Sequence, residues 1–353
     1  MLIQIIFMLV FIQNPGNEEM VNFNLDTFFE LSPEMIEFID ERVMVQSTDY
    51  GKLNFLLNAI FDESILDMTY SNTRTTTPIE TFALRTGNCL SFTAMFIAMA
   101  RYCGIEAQFQ EVYDLSSWTK KGEFTVYNRH MNCTVFIDGI RKEVDFNYLN
   151  KKEFILVRPA TDRRGIAHFY NNLGAEELSK GNFYRAKIYI EKALEVDPSF
   201  SFGWTNLGVV HRLNNEFVQA EACYIKAANL NSRDHTPSLN LALLYESQGK
   251  DNQAKVLFKK VKRFVERNPY HHYELGKEAF EKGQYDVAVG HLKRAVKIHK
   301  THPIFLLSLA AAYQKSGNLK KASKLMEKAK KQAANFDEKV LYDRKLQLIE
   351  GQK

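Results

Sequence analysis

Three periods of apolar and polar residues follow one another along this chain. From Phe92 to Tyr102 apolar residues are nearly continuous, good helix formers lead and no proline intervenes, which predicts a buried helix. Gly104 stands where a helix C-terminal glycine belongs. Upstream the chain from 22 to 70 reads as helical. Ser32-Pro33 is an N-cap followed by proline at the first helical position, opening the amphipathic stretch EMIEFIDERVM. A second helix is expected from Lys52 to Phe61 and a short third from Ile79 to Leu84, after a turn at Thr75 to Pro78. Downstream, Ile105 to Tyr113 reads as a strand, with Trp118 in the loop beyond it, where it could line a cleft.

The second period is two. NRHMNCTVFIDGIRKEVDFN, from Asn128 to Asn147, places two runs of β-formers around Asp138-Gly139, a strong hairpin signal. A two-residue loop there makes paired numbers sum to 277. His130 then faces Asn147, Asn132 faces Asp145, and all four side chains share one sheet face. His130 and Asp145 become diagonal neighbours, roughly 7–8 Å apart at the backbone. The opposite face carries Met131, Cys133, Val135, Val144 and Phe146, a core face.

The third period is 34. Framed from Ala167, it repeats five times without a gap. Position seven is Leu173, Leu207, Leu241, Leu275 and Leu309, and position eight is small: Gly174, Gly208, Ala242, Gly276 and Ala310. Position twenty-four is large: Ile190, Tyr224, Phe258, Leu292 and Met326. The turn between helices holds Gly181, Asn215, Gly249, Gly283 and Gly317. These columns resemble the tetratricopeptide repeat, which implies an all-α solenoid of five helix pairs whose first helices line a groove for a protein or peptide. Position six of those helices is Asn172, Asn206 and Asn240 in the first three repeats, then Glu274 and Ser308. Each amide offers a donor and an acceptor, so the three are candidates to grip the backbone of an extended peptide; asparagines here can equally serve neighbouring helices.

The expected organisation is therefore a hydrophobic segment over 1–21, an α+β domain over 22–157, a linker over 158–166 marked by Arg158-Pro159 and Asp162 to Gly165, repeats over 167–336, and a capping helix over 337–353. The opening MLIQIIFMLVFI is too short to span a bilayer as it stands. An export signal cut short by a misassigned start, a membrane-attached segment, or an untranslated stretch ahead of Met20 all fit, with the weight toward export or membrane association.

Charge divides the same way. Residues 1–166 hold 15 Lys and Arg against 22 Asp and Glu, a net of −7; residues 167–353 hold 31 against 20, a net of +11. From 293 to 331 eleven Lys and Arg stand against Glu327. Most of these fall on second helices, which line the convex side, and they read as a solvated face and not as a nucleic-acid site. Four cysteines do not make a disulfide framework, and Cys89 and Cys103, fourteen residues apart on one expected helix, stand about 21 Å apart. No phosphate-binding glycine loop and no His-Glu-x-x-His is present, and His271-His272 lacks partners at ligand spacing. No metal or cofactor is expected.

The chemistry centres on Cys89. It follows Gly87-Asn88 and opens the buried helix, where the dipole and unpaired N–H groups favour a thiolate. A cysteine in an apolar segment is more often simple core. With His130 and Asp145 on one sheet face, however, it supplies a nucleophile, a base and an orienter, with Asn147 a rival for the last role. A Gly-x-Cys at a helix start, then a histidine on one strand and an aspartate on the next, resembles the transglutaminase-like branch of the papain-type fold, over roughly residues 75 to 150. The resemblance implies that Cys89, His130 and Asp145 form a catalytic triad. The chain departs from better-known members at Asn132, where an aromatic residue is usual, and at Phe146, where proline is common, which leaves reaction type and acyl acceptor open. The expected function is a thiol acyl-transferase or an amide or peptide hydrolase whose repeats recruit a protein or peptide; the alternative is a repeat scaffold with a vestigial thiol domain.

Overall fold

The computed structural model describes residues 27–71, 74–112, 118–121, 124–127, 130–146 and 157–331. The segment over 1–21, Asn147 and the capping helix expected over 337–353 lie outside them. Among the described residues no helix is long and apolar enough to cross a membrane.

Helix α1 (Pro33–Phe38) begins as its sequence dictates, with Ser32 Oγ accepting from Met35 N and proline in the first turn. It continues into a five-residue π segment, Ile39–Val43. Helix α2 (Asp49–Phe61) follows a Thr48 cap. A two-residue strand, β1 (Thr69–Tyr70), breaks the expected helical run and pairs in parallel with β2 (Thr86–Gly87). Between them α3 (Pro78–Leu84) opens on a reciprocal capping box of Thr77 and Glu80. Helix α4 (Cys89–Tyr102) then runs to Gly104, whose φ of +80° gives the left-handed stop.

Strands β3 (Glu106–Val112), β4 (Trp118–Lys121), β5 (Phe124–Tyr127), β6 (His130–Ile137), β7 (Ile140–Val144) and β8 (Val157–Pro159) follow. The main sheet has the order β7-β6-β3-β8 and is antiparallel throughout. The β6–β7 hairpin has the expected register, Ile137 opposite Ile140 and Cys133 opposite Val144. Asp138 and Gly139 both take positive φ, 52° and 73°, as a tight two-residue turn requires. Trp118, expected in a loop, instead begins β4, which pairs with β5 in a separate ribbon and runs against the fourth repeat's first helix.

Met131, Cys133, Val135, Val144 and Phe146 are buried, and α4 covers this face with Phe92 and Phe96, both ringed against Phe146. The opposite face is buried around Gln110, Asn132 and Thr134 and exposed at Arg141 and Glu143. There Thr134 Oγ1 donates to Gln110 Oε1 at 2.8 Å, and Gln110 Nε2 donates to Glu143.

Helices α5 (Asp162–Ser179) and α6 (Phe183–Val196), α7 (Ser201–Leu213) and α8 (Phe217–Leu230), α9 (Thr236–Ser247) and α10 (Asp251–Val265), α11 (Pro269–Glu281) and α12 (Tyr285–Ile298), and α13 (Pro303–Lys315) and α14 (Leu319–Lys330) form five antiparallel pairs. The repeat columns have direct physical causes. A Cβ on Gly174 would fall 2.6 Å from Ile190, one on Gly208 would fall 2.5 Å from Tyr224, and one on Gly276 would fall 2.6 Å from Leu292. Position eight is small so that position twenty-four can pack on it. The turn residues Gly181, Asn215, Gly249, Gly283 and Gly317 all have φ between 61° and 83°, the left-handed region open to glycine and asparagine.

The linker expected over 158–166 is not there. Arg158 and Pro159 pair with Glu111 and Gln110 in the sheet, and α5 begins at Asp162 under a Thr161 cap. Proline is tolerated because β8 is an edge strand. Gly165 is not a flexible joint either: a Cβ there would stand 2.4 Å from the Phe109 ring, so its absence lets α5 lie on the sheet. Arg101 forks onto Asp162 at 2.8 and 2.9 Å, and His168 Nε2 meets Glu111 at 2.8 Å. One apolar core runs unbroken from Phe28 through α4 and the sheet to Val210 and Cys223, so the first two repeats and the α+β domain share their interior.

Candidate active site

The site forms where β2 turns into α4. Arg85 closes α3 in the left-handed conformation, φ 54°, and the chain enters the β1–β2 pairing. Gly87 cannot carry a side chain, because a Cβ would lie 2.7 Å from that of Ser91. Asn88 caps α4, its Oδ1 accepting from Ser91 N at 3.0 Å. Cys89 is the first residue of the helix and half-buried, at the positive end of the helix dipole.

The two other expected residues arrive from the hairpin. His130 begins β6, and Asp145 lies one residue past the end of β7. His130 Nε2 is 2.8 Å from each Asp145 carboxylate oxygen. That leaves Nδ1 for the thiol, with which the imidazole hydrogen-bonds. Cys89, His130 and Asp145 are thus brought together in a chain of contacts.

The electrostatics separate Cys89 from the other thiols. Burial alone would raise it, but the hydrogen bond and charge of His130, the Met131 backbone N–H and the Tyr70 hydroxyl together outweigh burial and hold it below the ordinary value. Burial pushes Cys103 and Cys223 each up to about 11, and Cys133 further still. Burial would also depress His130, yet the Asp145 hydrogen bond and the Cys89 interaction raise it to about 10. Each partner favours the charged form of the other, the pattern of a thiolate–imidazolium pair.

Sequence reasoning missed Tyr70. Its ring lies nearly parallel to Phe92, centroids 6.4 Å apart, and β1 sets it beside Gly87. Its hydroxyl interacts with both the Cys89 sulfur and the Cys89 backbone N–H, and burial first, then the neighbouring thiolate, pushes the phenol above its ordinary value. The signal is a two-residue parallel bridge, which carries no periodicity. Asn132, expected opposite Asp145, is fully buried, and its amide has no hydrogen-bond partner among the described residues.

Asn172, Asn206 and Asn240, expected to line a groove, are half-buried and differ from one another. Asn206 Nδ2 donates to Asn171 Oδ1 of the preceding repeat at 2.9 Å, so it bridges helices. His272 meets the Glu266 backbone carbonyl at 2.9 Å, and among the described residues no three His, Cys, Asp or Glu side chains gather as metal ligands would.

Residues 38–142 match the model of the transglutaminase-like superfamily, and residues 167–200 and 279–341 match tetratricopeptide-repeat models. Among curated proteins the chain is 27% identical over 103 residues to the human cell division cycle protein 16 homolog, covering 29% of this chain and 17% of that protein. It is 26% identical over 198 residues to anaphase-promoting complex subunit CDC16 of Saccharomyces cerevisiae, covering 56% of this chain and 23% of that one. The chain therefore spans less than a quarter of the length of these relatives. Among solved structures, Pseudomonas aeruginosa PilF aligns with 21% identity over 52% of this chain and 84% of its own, TM-score 0.36. The APC/C heterotetramer Cut9–Hcn1 aligns with 22% identity over 52% and 36%, TM-score 0.33. One polypeptide thus joins a transglutaminase-like domain to an array of tetratricopeptide repeats, a repeat class that generally binds protein partners.

Proposed function

We propose that the α+β domain is a thiol acyl-transferase or hydrolase acting on an amide, peptide or isopeptide bond, and that the repeats recruit its protein or peptide substrate. The observation that carries this reading is the pairing of a lowered thiol with an imidazole whose far nitrogen sits 2.8 Å from a carboxylate. The Cys89 thiolate attacks the carbonyl carbon, forming a C–S bond and placing negative charge on the carbonyl oxygen. The Cys89 N–H and the Tyr70 hydroxyl are the donors we assign to that oxygen. His130 gives its proton to the departing nitrogen as the C–N bond breaks, leaving a thioester. Water or an amine then attacks the thioester, His130 takes that nucleophile's proton, and the C–S bond breaks to return the thiolate beside the imidazolium. Asp145 holds the imidazole in orientation and favours its charged form throughout.

Exposure of the full chain to p-nitrophenyl acetate tests this. A burst of p-nitrophenol should accompany an acetyl adduct that peptide mapping places on Cys89, and Cys89→Ala should abolish both. No adduct, or one on Cys103, Cys133 or Cys223, would return the scaffold reading.

For the groove, the asparagines divide by their bonds. Asn206 spends one donor on Asn171, whereas Asn172 and Asn240 have no side-chain hydrogen bond among the described residues. Asn206→Ala should cost about 1 kcal/mol in denaturant unfolding, the worth of one hydrogen bond. Asn240→Ala should leave stability unchanged while weakening the binding of extended peptides selected on the full chain, by about fivefold for one lost bond. Peptide binding unaltered by Asn240→Ala would remove the asparagines from the groove's function.

A further inference from the structure

The support of the nucleophile does not stop at the α+β domain. Glu176, on the first repeat helix, accepts from Thr75 Oγ1 at 2.6 Å and from Thr75 N at 2.8 Å. Thr75 Oγ1 in turn accepts from Asn88 Nδ2 at 2.8 Å. Asn88 Oδ1 accepts from Ser91 N at 3.0 Å and from Ser91 Oγ at 3.2 Å, and Ser91 Oγ accepts from Thr76 N at 2.8 Å. Thr75 is 5% exposed and Ser91 fully buried, so water does not compete freely for these bonds.

The chain of bonds has a direction. A threonine hydroxyl has one proton. A carboxylate, which only accepts, draws that proton and turns the lone pairs of Thr75 toward Asn88. Those lone pairs call for the NH₂ end of the Asn88 amide, so its carbonyl end faces α4 and caps it. Without the acceptor at 176, the Thr75 proton is free to point at Asn88. The amide then flips to present its carbonyl to Thr75, and its NH₂ group faces the N–H of Ser91, donor against donor. Cys89 lies between the cap and Ser91 in sequence, at the positive end of the helix.

We infer that Glu176 of the first repeat is a positioning residue for Cys89, fixing through Thr75 and Asn88 the cap of the helix that carries the nucleophile. The inference rests on the thiol-enzyme reading above. It makes the first repeat part of the active site's support, consistent with the apolar core that the two regions share. A partner that shifts α5 therefore acts on the reactivity of Cys89.

Iodoacetamide alkylation of Cys89 against pH, followed by peptide mass in the full chain, tests this. Alkylation forms no oxyanion, so it reports the thiolate and the groups that stabilise it, which Glu176→Ala changes only at the helix start. Glu176→Gln should keep the native rate and midpoint, because an amide oxygen accepts the same two bonds. Glu176→Ala should raise the midpoint and slow alkylation at pH 7 by about threefold to tenfold, the scale of a lost cap. Thr75→Val cuts the same chain from the other side while keeping the backbone bond to Glu176, and so gives an answer even if Glu176→Ala unfolds. It removes the acceptor that holds the NH₂ end of Asn88, so it should also raise the midpoint, and the double variant should go no further than the larger single shift. Native profiles in both single variants, failure of glutamine to rescue, or additive shifts in the double variant would overturn the inference. A native chain whose Cys89 is no faster than a free thiol would sink the thiol-enzyme reading first, and this inference with it.

Discussion

Replacing His130 by alanine should slow acylation of Cys89 by about 10²–10⁴-fold, the range of a removed general acid–base, and should also slow its alkylation at pH 6–7. The two effects have different origins. Acylation loses the proton donor for the departing group. Alkylation loses the partner that holds the thiol down: burial is the largest influence on Cys89 and works against the thiolate, and His130 supplies the two next largest, both in its favour. Remove the imidazole and burial prevails, so the alkylation midpoint should move up. The native chain should instead react fast at Cys89 at pH 6–7 and slowly at Cys103, Cys133 and Cys223, which burial raises. Equal reactivity of Cys89 in native chain and variant would show that the imidazole does not activate the sulfur.

What could be read from sequence depended on how local the cause was. The β6–β7 register was legible because Asp138-Gly139 fixes it, and that register alone carries Asp145 to His130. The α4 start was legible from Gly87-Asn88-Cys89 before an apolar run, and the repeats because five copies repeat one packing constraint. The failures are non-local. Arg158-Pro159 and Gly165 have the composition of a linker, and only the sheet edge and the Phe109 ring reveal them as packing residues. Tyr70 and Glu176 carry no pattern of their own. One is placed by a two-residue bridge, the other by a hydrogen bond to Thr75 across 101 residues of chain. Local periodicity specifies elements, whereas a site assembled between domains depends on contacts that no single stretch encodes.

Asp145→Ala should reduce activity far more than Asn147→Ala, and the pH profile should say why. His130 stands at about 10 because the Asp145 hydrogen bond leads the influences that outweigh its burial. A group raised above its ordinary value keeps its proton, and the stabilisation that goes with it, below that value and loses both as pH rises through the raised one. Cys89 is lowered, so its thiolate fails on the acid side. The ion pair therefore occupies a window bounded below by the lowered thiol and above by His130 near 10. Taking away Asp145 removes the leading support of the upper bound, and the alkaline limb of the acylation profile should move to lower pH. Activity at neutral pH should fall by up to about 10⁴-fold, since the imidazole loses its orientation as well as its charge partner. Asn147→Ala should leave the alkaline limb in place. Asp145→Asn separates the two contributions: an amide can still accept from the ring nitrogen and orient it, but brings no charge, so the limb should shift while part of the activity survives. If Asn147→Ala moves the limb and Asp145→Ala does not, the third member of the triad is the asparagine.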